Sequence, residues 1–254
     1  DATFSDATLD RSVATATFPA VGTYDLAYRM SGDGGATWTY CDTTNNLSNA
    51  DYAPADSVSL TTTTPPGPPT AAGDIIFTEV MVSSGLGSTG SPAVDRGEWV
   101  EVRNTTANDL NLVGCTITDG EGSTTIAGSL VIVAGGYAIF GQDDSVTANG
   151  GMTGVALNYA DTIQLSNSGD NLELSCGTLV LDAFTYPSSF ATAGKSKQVA
   201  PDRLTAALND NAGNWCSTTG AVFAGTRTGT PGAANTACFL CRAQAPATAT
   251  GVPG

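Results

Sequence analysis

The side chains able to do chemistry in this 254-residue chain are carboxylates, cysteines and a few aromatics, because it contains no histidine. That absence excludes Ser-His-Asp and Cys-His nucleophilic sites, imidazole zinc centres and the commonest general base. Glu79, Glu98 and Glu101 invite a paired-carboxylate reading of the kind that cleaves glycosidic bonds. Strand alternation puts Glu98 and Glu101 on opposite faces, so the two cannot serve one substrate. Asp119 and Glu121, in Asp119-Gly120-Glu121-Gly122, and Asp143 and Asp144, in Gln142-Asp143-Asp144, are loop carboxylates suited to a hard cation such as calcium. Their spacing matches no EF-hand, and turn chemistry accounts for them equally well. Trp38, Tyr40, Trp99 and Trp215 read either as a sugar-stacking platform or as core, Trp38 and Tyr40 sharing one face.

Six cysteines stand at Cys41, Cys115, Cys176, Cys216, Cys238 and Cys241. An even count, wide spacing and no histidine favour disulfides over zinc, and an oxidising, extracytoplasmic setting follows. The pair Cys238-Phe239-Leu240-Cys241 has redox or metal spacing, but neither a second such pair nor a βαβ pattern accompanies it. The expected pairing is Cys216 with Cys238 and Cys115 with Cys176, leaving Cys41 and Cys241 to pair within one chain or between two. This is one of about 15 possible connectivities. Acidic residues number 24 against 9 basic, a formal charge of −15, which argues against a nucleic-acid partner. The chain opens at Asp1 without a basic start or apolar h-region, as a processed chain would. The longest apolar stretch, from Leu130 to Phe140, is broken by Gly135 and Gly136 and falls short of the ~20 residues of a spanning helix.

The elements that position these residues are strands. Val13–Phe18, Tyr24–Arg29, Thr37–Cys41 and Asp56–Thr62 alternate apolar with polar residues and are separated by turn signals such as Ser31-Gly32-Asp33-Gly34-Gly35. Residues 63–73 form a Thr/Pro-rich, semi-rigid linker. Its surroundings offer Thr61, Thr62, Thr63, Thr64 and Thr70 as O-glycan sites, while Asn46 and Asn104 fit the N-glycan triplet. Strand signals resume at Ile75–Val80, Glu98–Val102, Leu110–Val113, Ser129–Val133, Tyr137–Phe140, Thr162–Leu165, Leu172–Leu174 and Leu179–Phe184, at intervals typical of a sandwich. Leu204–Leu208 reads as one short helical turn. Lys195 and Lys197 form a small basic cluster, read as an edge guard or as a contact for an acidic neighbour.

Residues 1–62 supply few strands for an independent sandwich, and such a sheet exposes an edge and an apolar face. The tail, residues 239–254, is strand-compatible and could complete it, within the chain or from a neighbour.

The runs Asp74–Met81, Glu98–Asn104, Asp109–Ile117, Gly136–Gly141, Leu165–Leu174, Val180–Tyr186 and Gly229–Asn235 share order and spacing with a known family. On them, residues 74–235 resemble the lamin tail domain family, Ig-like β-sandwiches of nuclear lamins and of many exported bacterial proteins. The extra cysteines resemble the exported bacterial branch. Residues 1–62 look like a partial Ig-like module of the kind found beside it. The resemblance implies binding, scaffolding or assembly, with no catalytic residue and no cofactor. It also implies that Glu79 and Glu101 belong to the strand pattern, bonding backbone or arginine. The expected architecture is all-β: a partial module (1–62), the linker (63–73), a lamin-tail-like sandwich (74–238) and a donor-strand tail (239–254). The expected function is an extracellular structural protein of a bacterial surface, a pilus-like filament subunit whose partners are copies of itself. The alternative is a monomeric adhesion or carbohydrate-binding module that recognises surface glycans with or without calcium.

Overall fold

Short alternating runs punctuated by glycine give a chain that is β-structured throughout its described part. The computed structural model describes residues 17–18, 20–26, 28–30, 33–37, 39–41, 58–87, 95–220 and 222–238, with side chains left aside at 28–30 and 39–41. Two compact units divide at Pro65 and Pro66.

In the first unit, β1 (Gly22–Leu26) pairs antiparallel with β4 (Val58–Thr62), in register from Gly22 opposite Thr62 to Leu26 opposite Val58. A second ribbon joins β2 (Tyr28–Met30) to β3 (Thr39–Cys41). In the turn between them, the Asp33 carboxylate accepts the Thr37 N–H at 2.8 Å. Gly34 and Gly35 supply the positive φ expected there. The outward side chains of β4 include Val58 and Leu60, 51% and 39% exposed. The expected strand at Val13–Phe18 lies mostly outside the described residues.

The second unit is a sandwich of two sheets. Its six-stranded sheet runs β12 (Val155–Asn158), β11 (Tyr137–Gly141), β6 (Trp99–Asn104), β5 (Ile75–Met81), β15 (Lys197–Val199) and β16 (Trp215–Ser217). The four-stranded sheet runs β14 (Leu179–Pro187), β13 (Gly169–Cys176), β8 (Cys115–Thr118) and β9 (Ser123–Thr125). Between them Phe77, Val100, Val102 and Phe140 from one sheet meet Ile117, Leu172, Leu174, Leu181 and Phe184 from the other. Phe77 and Phe184 lie 5.3 Å apart, and Phe184 stacks on Trp215 at 4.8 Å. Two small ribbons accompany the sheets: β7 (Leu110–Asn111) with β10 (Val131–Ile132), and β17 (Val222–Ala224) with β18 (Arg227–Thr228).

All seven residues of β5 are buried, because the six-stranded sheet is covered on both faces. The outer cover includes a second cluster of Met81, Trp99, Ile139 and Met152, with Phe223 of β17 set edge-on to Trp99 at 5.8 Å. Cys115 and Cys176 sit directly opposite each other on β8 and β13 and are disulfide-bonded.

The stretch expected as a linker is partly stitched to this unit. Asn111 donates its N–H to Gly67 O at 2.8 Å, and Asp74 Oδ2 accepts the N–H groups of Thr70 and Ala71 at 2.8 and 2.9 Å. Thr162–Leu165 is not a strand. Ala160–Thr162 form a 3-10 turn, and beyond Ile163 two successive N–H groups go to carboxylates: Gln164 N to Asp119 Oδ2 and Leu165 N to Glu98 Oε2. With those donors taken, the segment lends Ile163 and Leu165 to the core without joining a ladder. The short helical turn is found at Ala206–Asn209.

Replacing Cys115 and Cys176 together by alanine removes a cross-link between residues 61 apart. Loop-closure entropy predicts a loss of about 4 kcal/mol, read as a lowered urea midpoint. An unchanged midpoint would show that the bond adds nothing.

Candidate functional site

Register lines four side chains in a row across the outer face of the six-stranded sheet. Glu101 on β6 stands opposite Glu79 on β5, Glu79 opposite Gln198 on β15, and Gln198 opposite Cys216 on β16. Directly paired residues share a face, so this is one polar rank, and Glu79, Glu101 and Gln198 are all essentially inaccessible to solvent. A β-bulge at Thr78 puts Glu79 in it: Phe77 pairs with Val102, but Glu79 pairs with the next residue back, Glu101. The extra residue reverses the alternation, so Phe77 faces the core and Glu79 faces away from it.

The chain after β18 lies over this rank as a strap, residues 229–238, and partners it rung by rung. Gly232 N donates to Glu101 Oε2 at 2.7 Å. Thr230 donates to Glu79 twice, through its N–H to Oε1 at 2.9 Å and its hydroxyl to Oε2 at 2.6 Å. The Gln198 amide is held in both directions by Thr236, Nε2 donating to the carbonyl at 2.9 Å and Oε1 accepting the N–H at 3.2 Å. Cys216 is disulfide-bonded to Cys238. Asn235 Nδ2 adds bonds to Thr78 O and Val199 O at 2.9 and 2.8 Å. From the sheet side, Thr78 Oγ1 donates to Glu101 Oε1 at 2.7 Å and Ser196 Oγ donates to Glu79 Oε1. Only glycine fits at 229, where a Cβ would come within 2.9 Å of Glu79 Oε1 and 3.1 Å of Ser196 Oγ.

Burial dominates the electrostatics. It pushes the Glu101 carboxyl up to about 8, with the Glu79 charge adding to the rise and the Thr78 and Gly232 bonds opposing it. Burial also raises Glu79, against the bonds from Ser196 and Thr230. Two further buried carboxylates lie apart from the strap. Glu98, pushed up to about 8 by burial and then by Asp95, holds the Leu165 N–H. Asp182, pushed up to about 7 by burial, accepts Phe77 N at 2.7 Å and Asn209 Nδ2 at 2.5 Å.

Other residues singled out in the sequence are not gathered into a site. Asp119 Oδ1 is used by the N–H groups of Glu121 and Gly122, Asp143 pairs with Arg96 at 3.0 Å, and Asp144 accepts Asn158 Nδ2. Among the described residues no three Cys, Asp or Glu side chains are grouped to hold a metal ion. Trp99 and Trp215 are buried, which removes them from any sugar platform. Trp38 and the Tyr40 side chain lie outside the described residues, as do Asn46 and Cys241. Asn104 is fully buried, its Nδ2 donating to the carbonyls of Asn108 and Ile132, so the triplet there offers no amide to a glycan. Thr62 Oγ1 accepts Gly22 N and Thr61 Oγ1 bonds Thr23 Oγ1, whereas Thr63, Thr64 and Thr70 are exposed. Lys197 lies on an inner strand with its Nζ 5.7 Å from the Phe190 ring centre, so it guards no edge, while Lys195 is exposed. Gln198, Thr230, Gly232 and Thr236 were not singled out as site residues. The available signal was Glu79 itself, a charge inside an almost continuous apolar run.

Residues 68–188 match the model of the Lamin Tail Domain family. No curated protein matches the chain. Glu79 and Glu101 fall inside the matched segment; β15, β16 and the strap lie beyond it.

The folded pKa values of Glu98, Glu101 and Asp182 exceed the unfolded ones, so within that window the native protein keeps protons the unfolded chain has released. Stability therefore falls as pH rises from the ordinary carboxylate range towards about 8. Urea midpoints measured from pH 5 to 8 should decline, and Glu101→Gln should make the decline shallower. A flat profile in the parent protein would contradict this.

Proposed function

Residues 68–188 form a lamin tail domain, an Ig-like β-sandwich of non-catalytic type, and from that premise we propose that the protein is an extracellular structural subunit of a bacterial surface. In this reading it assembles into filaments with copies of itself and is not an enzyme. The observation that carries the proposal is the state of β4: among the described residues it pairs with β1 alone, and Val58 and Leu60 are directed outward. A two-stranded ribbon with exposed apolar side chains is marginal alone and gains most from an added strand. Residues 239–254 are the segment proposed to provide that strand, donated by one subunit to the next. A head-to-tail contact of this kind does not close and builds open fibres. Cys41 and Cys241 are the proposed covalent lock between neighbours. The two disulfides fit a non-cytoplasmic setting, and among the described residues no helix is long and apolar enough to cross a membrane.

The alternative, a monomeric adhesion or glycan-binding module, is favoured by one observation. An open groove of about 350 Å³ is lined by Asn171, Glu173, Thr185 and Asp210, polar groups of the kind that bind sugar hydroxyls.

Negative-stain electron microscopy of the purified, non-reduced protein over a concentration series should show regular filaments. Deleting residues 239–254, which leaves Cys238 and the strap in place, should abolish them. Single particles at every concentration would overturn the filament reading, and saturable glycan binding lost in Asp210→Ala would establish the alternative.

A further inference from the structure

The middle of the strap brings together a nucleophile, a base and a carbonyl that nothing in the lamin-tail assignment requires. The Thr230 hydroxyl donates to Glu79 Oε2 at 2.6 Å and stands 3.4 Å from Gln198 Oε1. The Gln198 amide cannot turn, because its nitrogen and oxygen are fixed by the carbonyl and N–H of Thr236. The second oxygen of Glu79 is anchored by Ser196 Oγ and Thr230 N. Gln198 and Glu79 are shielded from water. A hydroxyl bonded to a buried carboxylate, next to a carbonyl whose oxygen already accepts an N–H, is the arrangement of an activated acyl-transfer site.

We propose that Thr230 and Gln198 become joined by an intramolecular ester, with Glu79 as the catalytic base. Glu79 takes the hydroxyl proton as Thr230 Oγ1 bonds to Gln198 Cδ. Negative charge gathers on Oε1, against the Thr236 N–H. The Cδ–Nε2 bond then breaks, and the protonated Glu79 returns its proton to the departing nitrogen, which leaves as ammonia. One ester forms, one ammonia is released, Glu79 is regenerated as a carboxylate, and no oxidant or cofactor takes part. The product ties the strap to β15 beside the Cys216–Cys238 bond. The linkage lies inside one chain, so its presence is independent of whether the protein polymerises.

The test is intact-mass spectrometry of the purified full chain after complete reduction. The expected mass is lighter than the sequence mass by one ammonia, and chymotryptic digestion should yield a linked peptide pair that fragments to residues 198 and 230. Hydroxylamine, which cleaves esters, should separate the pair. Glu79→Gln keeps the side-chain size and removes the base, so it should carry the full sequence mass while retaining both disulfides. Thr230→Ser keeps the nucleophile and should restore the loss. A parent protein at full sequence mass, with unlinked peptides containing Gln198 and Thr230, overturns the proposal. So does an ammonia loss that maps to an asparagine instead.

Discussion

A carboxylate inside a sheet must be given hydrogen-bond donors, and the architecture of the second unit follows from meeting that demand at Glu79 and Glu101. The backbone of neighbouring strands cannot meet it, since its N–H groups are committed to the ladder, and the sheet side contributes the hydroxyls of Thr78 and Ser196. The other donors arrive from above, as backbone N–H groups and hydroxyls of a segment more than a hundred residues further along the chain. Covering the polar rank also covers its apolar neighbours, Met81, Trp99 and Ile139. The six-stranded sheet is consequently a middle layer, with the sandwich core on one face and the strap with β17 on the other.

This arrangement explains which parts of the fold can be read from sequence and which cannot. Alternation and turn residues locate most strands of the second unit, because burial on one face writes a period of two into Cys115–Thr118 or Leu172–Leu174. Alternation also separates Glu98 from Glu101, and the structure places them on opposite faces. The bulge at Thr78 leaves no compositional trace, yet it decides the direction of Glu79. Thr162–Leu165 carries the composition of a strand, but two remote carboxylates hold its N–H groups, and a local window contains neither. The strap is hardest to read, since half of its contacts use backbone groups that carry no residue signature and it reads as a glycine- and alanine-rich loop.

The two disulfides differ in what they join. Cys115–Cys176 links neighbouring strands of the four-stranded sheet, where the pairing register already holds the residues opposite each other. Cys216–Cys238 joins β16, an edge strand among the described residues, to a segment that has no strand partner among them. One reinforces an existing ladder, and the other substitutes for one. Asn104 offers a parallel on a smaller scale. A triplet that looks like an attachment point is instead the internal brace of its loop, its single side chain engaging backbone of Asn108, Ile132 and Thr106.

The position of Cys238 at the far end of the strap has a mechanical consequence. Tension applied to residues beyond it reaches a covalent bond before it reaches any of the hydrogen bonds at Thr236, Thr230 or Gly232. The load passes through Cys216 into β16 and from there into its ladder with β15. Reducing the disulfide would reverse that order, and the strap would peel one rung at a time, starting at Gln198, passing Glu101 and ending at Glu79.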